Sequence, residues 1–157
     1  MKRLSSNSNM VFSMNKKGII KAIDANLNRA LEGVRVIEDI SRFILSNKKI
    51  TQELKYVRHN IAKGTKQMFP DRIVLLGCRD TKRDVGAFIK CEHELKRTGS
   101  KDILESNFRR ASEALRVLEE FGKLFDVKAS ILFKKMRFEV YRIEKDMFIN
   151  GKLKNMK

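Results

Sequence analysis

Asn26-Leu27-Asn28-Arg29-Ala30-Leu31-Glu32-Gly33-Val34-Arg35-Val36-Ile37-Glu38 is answered later in the chain by Asn107-Phe108-Arg109-Arg110-Ala111-Ser112-Glu113-Ala114-Leu115-Arg116-Val117-Leu118-Glu119, with seven of thirteen positions identical. Such a match marks an internal repeat, and a repeat changes the reading of every residue inside it. The likeness continues more weakly after a two-residue slip. Leu54-Lys55-Tyr56-Val57-Arg58 falls on Phe133-Lys134-Lys135-Met136-Arg137, and Met68-Phe69 on Met147-Phe148. Each half therefore reads as two helices in sequence.

Ile23, Leu27, Ala30, Val34, Ile37, Ile40 and Ile44 recur at steps of three and four and predict one broad apolar helix face. Leu104, Phe108, Ala111, Leu115, Leu118 and Leu124 trace the corresponding face in the second half. The segments from about Thr51 to Met68 and from about Ala129 to Phe148 supply the partner helices. Asn47 and Asp126 are their expected caps, and Pro70 closes the first pair. The predicted fold is all-α: a duplicated two-helix unit giving four main helices, in a single domain over 15–150. The units cover about 22–69 and 103–148, joined by 70–100; residues 1–14 and 151–157 read as loose ends.

The connection departs from the helical pattern. A short apolar run, Ile73-Val74-Leu75-Leu76, precedes Gly77-Cys78-Arg79-Asp80-Thr81-Lys82-Arg83-Asp84-Val85-Gly86. Connections in compact domains are usually short, so a long one this rich in charge reads as functional.

At 157 residues and 18.3 kDa the chain is one ordinary domain; 42% hydrophobic residues and one proline exclude disorder and collagen. No apolar run is long enough to span a bilayer, and the N-terminal stretch lacks a signal-peptide core, so a cytoplasmic protein is expected. The formal charge of +16 attracts phosphates, nucleic acids or anionic lipid. Much of it is lysine at the ends and in spacers, which reads as a solubility bias. Cys78 and Cys91 show no metal or redox spacing and are expected as free thiols.

Arg29, Glu32, Arg35 and Glu38 alternate in sign at steps of three, as a ladder of ion pairs would. That does not account for Asn26 near the apolar arc, nor for the same polar types being shared by both copies. Two accounts stand side by side. In one, the copies pack about a pseudo-twofold axis with Asn26, Arg29 and Glu32 bonding to Asn107, Arg110 and Glu113, while Gly33 and Ala114 allow close approach. In the other, the arginines line a pocket for a phosphate-bearing ligand, since guanidinium forks match phosphate oxygens. Neither a Walker loop nor a G-x-G-x-x-G turn is present. Asp80 and Asp84 are candidate Mg²⁺ ligands, and Gly86 could bring backbone N–H groups to an anion. His59 and His93 lack ligand spacing; His59 reads as a helix-face residue in reach of a ligand. No nucleophile triad is recognisable.

Asp24-Ala25-Asn26-x-x-Arg29-Ala30-x-Glu32-Gly33-x-Arg35-x-x-Glu38-Asp39, Leu54-Lys55-x-x-Arg58-His59, Arg79-Asp80-Thr81-x-x-Asp84-Val85-Gly86, Glu94-x-x-Arg97 and Asn107-x-x-Arg110-Ala111-x-Glu113-Ala114-Leu115-Arg116-Val117-Leu118-Glu119-Glu120 together resemble a small bacterial domain found alone or fused ahead of thiamine phosphate synthase. The resemblance runs from about Ile20 to Phe148. It implies a hydroxymethylpyrimidine phosphate kinase, which moves the γ-phosphoryl group of ATP onto 4-amino-5-hydroxymethyl-2-methylpyrimidine phosphate and not onto the free alcohol. The fused synthase is a (β/α)₈ barrel of roughly 200 residues or more, which a helix-filled chain of this length cannot contain.

On that resemblance Arg79, Asp80, Asp84 and Arg110 are the expected catalytic residues, with Asp80 and Asp84 holding Mg²⁺. Asn26, Arg29, Arg35, Arg58, His59, Thr81, Gly86, Asn107 and Arg116 are expected to bind pyrimidine phosphate or ATP. The synthase is a candidate partner and a homo-oligomer is open. Two alternatives to the kinase are a basic helical nucleic-acid module, for which Trp is absent and no binding signature appears, and a silent partner domain of the synthase.

Overall fold

The computed structural model describes residues 4–86 and 97–150, with side chains from residue 15 onward. Cys91, His93 and Glu94, and the expected loose end at 151–157, lie outside the described residues. The described backbone is helical, with no strand.

The first helix, α1, spans Leu4–Asp39. It starts well before the apolar repeat and runs through the stretch that reads as a loose end, because no proline interrupts it. Ile23, Leu27, Ala30, Val34 and Ile37 are buried along its inner face. The next turn, Ile40–Ile44, is π-helical, with the Leu45 amide donating to the Ile40 carbonyl at 3.0 Å. A π turn carries extra residue per turn and shifts the phase of the face. Ser41 is consequently buried and Ile44 exposed, against the sequence expectation. Ser46, with φ of 49°, then reverses the chain.

Helix α2, Lys48–Met68, begins at the expected cap: the Asn47 side chain accepts from the Ile50 amide at 3.1 Å. It ends two residues before Pro70. The connection that reads as irregular contains a fifth, short helix, α3 (Ile73–Cys78), whose Leu75 is buried while Ile73, Val74 and Leu76 stay exposed. Helix α4 is Ser100–Gly122. Leu124 lies beyond its end, in the turn, and is exposed rather than on the apolar face. Helix α5, Val127–Lys145, is capped by Asp126, which accepts from the Ala129 amide at 2.9 Å, and runs into a π turn, Asp146–Asn150.

The four long helices close a ring: α1 packs on α4, α4 on α5, α5 on α2 and α2 on α1. The tightest approach is at Gly33, where an added Cβ would stand 3.1 Å from the Asn107 carbonyl oxygen and 3.3 Å from the Ala111 Cβ. The halves also exchange side chains at both ends of this pair. Ser41 donates to the Met147 sulfur at 3.9 Å, while Met68 reaches across to Gly122.

Replacing Gly33 with Leu should therefore cost about 1–3 kcal/mol by overpacking the α1/α4 contact, whereas Gly18→Ala, with open space around it, should be neutral or gain up to about 1 kcal/mol from helix propensity. Urea titration of the two variants checks both. Hydrogen bonds from the Ala129 amide and the Gln67 side chain hold the Asp126 carboxyl below the usual aspartate range. Its contribution is thus complete above the ordinary aspartate pKa and lost as pH falls through the lowered value. Asp126→Asn should flatten the acid limb of a stability-versus-pH curve.

Candidate functional site

Asp24 lies on the inner arc of α1 near Ile20 and Leu27 and is buried. A carboxylate there needs a counter-charge. Arg79 supplies it as a two-pronged fork, Nε to Oδ2 at 2.7 Å and Nη2 to Oδ1 at 2.8 Å. The pairing pushes the Arg79 guanidinium further toward its charged form. Arg79 directly follows α3, so buried Leu75 and the Asp24 fork together fix where the loop Arg79–Gly86 starts. Within it, Asp80 accepts from the Arg83 amide at 3.2 Å and Asp84 from the Gly86 amide at 2.9 Å, two short turns of the kind aspartate favours. Lys21 and Arg83 each approach Asp80 to 3.8 Å.

Between this loop and α1 is a cavity of about 540 Å³. It brings together Asn26 and Arg29 from α1 with Arg79, Asp80, Thr81 and Asp84 from the loop, all nominated by sequence. Gly86 is not among its lining residues, and its amide is given to Asp84 rather than held out to an anion. A second cavity, of about 660 Å³ between α1 and α2, gathers Arg35, Arg58 and His59. Lys21, Asn28, Glu32 and Arg35 follow one another at helical spacing, so the two cavities lie along one stripe of α1.

Asn107, Arg110 and Arg116 line neither cavity. Arg110 reaches Glu32 across the α1/α4 packing at 3.8 Å, and Arg116 binds Glu119 and Glu120 on its own helix. The carboxamides do not pair across the axis: Asn26 donates to the Ala22 carbonyl at 2.8 Å and Asn107 to that of Ile103 at 2.7 Å. Of the cross-axis contacts expected from sequence, Arg110–Glu32 and the close approach at Gly33 are present.

Asp80 and Asp84 share the cavity, and no group of three or more His, Cys, Asp or Glu side chains suited to a metal exists among the described residues. Two carboxylates without further protein ligands fit Mg²⁺, which takes one or two and fills its shell with water and phosphate oxygens; they do not fit a structural zinc. Sequence reasoning passed over Asp24 and Lys21 as site residues. A carboxylate among Ile20, Ile23 and Leu27 was the available signal.

Asp24→Asn should release the loop. Because Arg79 is partly exposed, the loss in urea stability should be modest, about 1–2 kcal/mol, and tryptic cleavage at Arg79 or Arg83 should accelerate. Unchanged cleavage would show that the fork does not hold the loop.

No described helix is long and apolar enough to cross a membrane. Among curated proteins, the chain is 39% identical over 129 residues to a thiamine-phosphate synthase of Nostoc sp., 40% over 126 residues to one of Synechocystis sp., and 35% over 123 residues to one of Rhodopirellula baltica. These alignments cover 82%, 80% and 78% of this chain but 35%, 35% and 32% of the relatives. The chain thus spans about a third of the length of the relatives it matches. No solved structure gives a significant match. The ThiD2 family model matches residues 21–146, a span holding the long helices and the loop over α1, and the chain belongs to the ThiD2 family.

Proposed function

We propose that the chain transfers the terminal phosphoryl group of ATP to the phosphate of 4-amino-5-hydroxymethyl-2-methylpyrimidine phosphate, giving the diphosphate and ADP. The observation that carries this reading is the cavity under the Arg79–Gly86 loop, where Arg29, Lys21 and Arg83 stand around Asp80 and Asp84. Membership of the ThiD2 family and likeness to thiamine-phosphate synthases support a role in thiamine biosynthesis. The synthase reaction itself is a weaker reading, since the matched third of those proteins is all-helical here and offers no strands for a barrel among the described residues.

Phosphoryl transfer needs alignment and charge neutralisation more than covalent help. An oxygen of the acceptor phosphate, ionised at neutral pH, bonds to the γ-phosphorus while the bond to the β–γ bridging oxygen breaks and ADP departs. Asp84, with Asp80, would hold Mg²⁺, which neutralises phosphate charge when bound. Arg79 is held in place by Asp24 and so meets a phosphate without first surrendering side-chain freedom. Arg29 and Lys21 face the same space from α1. Asp80 keeps Lys21 and Arg83 nearby at distances long enough for them to turn toward an arriving anion.

Incubation with ATP, Mg²⁺ and the monophosphate, beside the free alcohol, should give diphosphate from the monophosphate alone. Asp84→Ala should lower turnover at least 100-fold with an unchanged helical circular dichroism spectrum. Full activity in that variant would remove Asp84 from the chemistry; no product from the wild type would remove the kinase reading.

A further inference from the structure

Two buried carboxylates in the molecule are built alike and finished differently. Glu38 accepts from Arg58 at 2.8 and 3.3 Å, and Glu119 accepts from Arg137 at 3.1 and 2.8 Å. Each has a second arginine one turn earlier on its helix, Arg35 at 3.4 Å and Arg116 at 2.8 Å. In the second half, aromatic rings close over the guanidinium. Arg137 lies 5.0 Å from the Phe138 ring centre and 5.6 Å from that of Tyr141, and donates to the Tyr141 hydroxyl at 3.3 Å.

In the first half the matching positions, one and four residues after Arg58, are His59 and Ala62. A methyl group stands where the other half has a tyrosine ring, and a cleft of about 660 Å³ opens beside it. Arg58 accordingly retains 25% of its side-chain exposure against 12% for Arg137. Arg35, Lys55 and His59 edge the cleft, and Leu31 and Tyr56 contribute to its wall.

We propose that this cleft binds a flat heteroaromatic ring carrying a phosphate, the ring stacking on Arg58 where the second half uses its own Tyr141. Buried Glu38 keeps the Arg58 guanidinium oriented for stacking, and guanidinium planes pair with π-systems as well as with anions. Lys55 and Arg35 receive the phosphate. The two halves thereby divide their labour, the second having its buried-acid arginine covered by its own Phe138 and Tyr141. The identity of the ring rests on the proposed kinase function, which offers two sources: the adenine nucleotide and the aminopyrimidine monophosphate.

Titration calorimetry of the full chain with ADP and, separately, with the pyrimidine monophosphate tests this, using Ala62→Tyr to cover Arg58 as Tyr141 covers Arg137. At least one probe should bind tenfold or more weakly to Ala62→Tyr with circular dichroism unchanged, and the probe that weakens names the source. Lys55→Ala, an exposed change, should weaken the same probe at least fivefold and decides the matter if Ala62→Tyr does not fold. Wild-type affinity for both probes in the variants, or binding of neither by the wild type, would overturn the proposal. Turnover measured in parallel separates the two readings: active enzyme with unaltered binding in the variants sinks the cleft alone, and cleft-dependent binding without turnover sinks the kinase alone.

Discussion

Burying a carboxylate at the end of each long first helix is the constraint from which most of this architecture follows. Glu38 and Glu119 are each only 4% exposed. An isolated charge so placed would be shed as a proton or would unfold the helix end. Arg58 from α2 and Arg137 from α5 prevent that by reaching across, and so they fix how the second helix of each half lies on the first. Removing one partner of such a pair typically costs about 3–5 kcal/mol, which sets these contacts above the exposed ladders along α4 and α5. Ser130 adds to the second half by donating to the Glu119 carbonyl at 2.7 Å. Once the two helix pairs are set, the small residues at Gly33, Ala111 and Ala114 let them close on each other.

The same logic, one carboxylate calling for one arginine, places the loop. Asp24 is the third such acid, and its partner comes from a loop instead of a helix. A fork with two bonds under 3 Å turns a segment of exposed backbone into a defined wall, leaving Asp80, Thr81 and Asp84 on one side of a cavity whose other side is rigid helix. Because the second cavity continues along α1, a ligand longer than one cavity would find cationic side chains at both ends.

Local features were legible in the sequence, and features that depend on distant partners were not. The caps at Asn47 and Asp126 bond three residues ahead and could be read directly. The apolar faces were read correctly as far as α-helical spacing holds; Ile44 and Leu124 were misplaced because a π turn and a helix end change the phase. Six nominated residues converge under the loop because the charged connection was itself the signal. Asp24 escaped because its partner is 55 positions away and only the fold brings the two together. Arginine and glutamate shared by the two halves invited either a structural or a ligand-binding account. The geometry divides them: Glu38 and Glu119 anchor helices, Arg116 stays on its own helix, and Arg35 and Arg58 also border open space.

The close approach at Gly33 has a consequence for the time order of folding. Its contact surface, Asn107 and Ala111, is made by the ribosome some 70 residues after Gly33 itself, a delay on the order of 4–15 s at ordinary synthesis rates. Once Arg58 has been made the first helix pair can form its acid–arginine clamp, but the face of α1 around Gly33 still lacks the α4 surface that covers it in the finished fold. A nascent chain of this kind carries a bare helix face through that wait, and transiently exposed apolar surface is where misassembly begins.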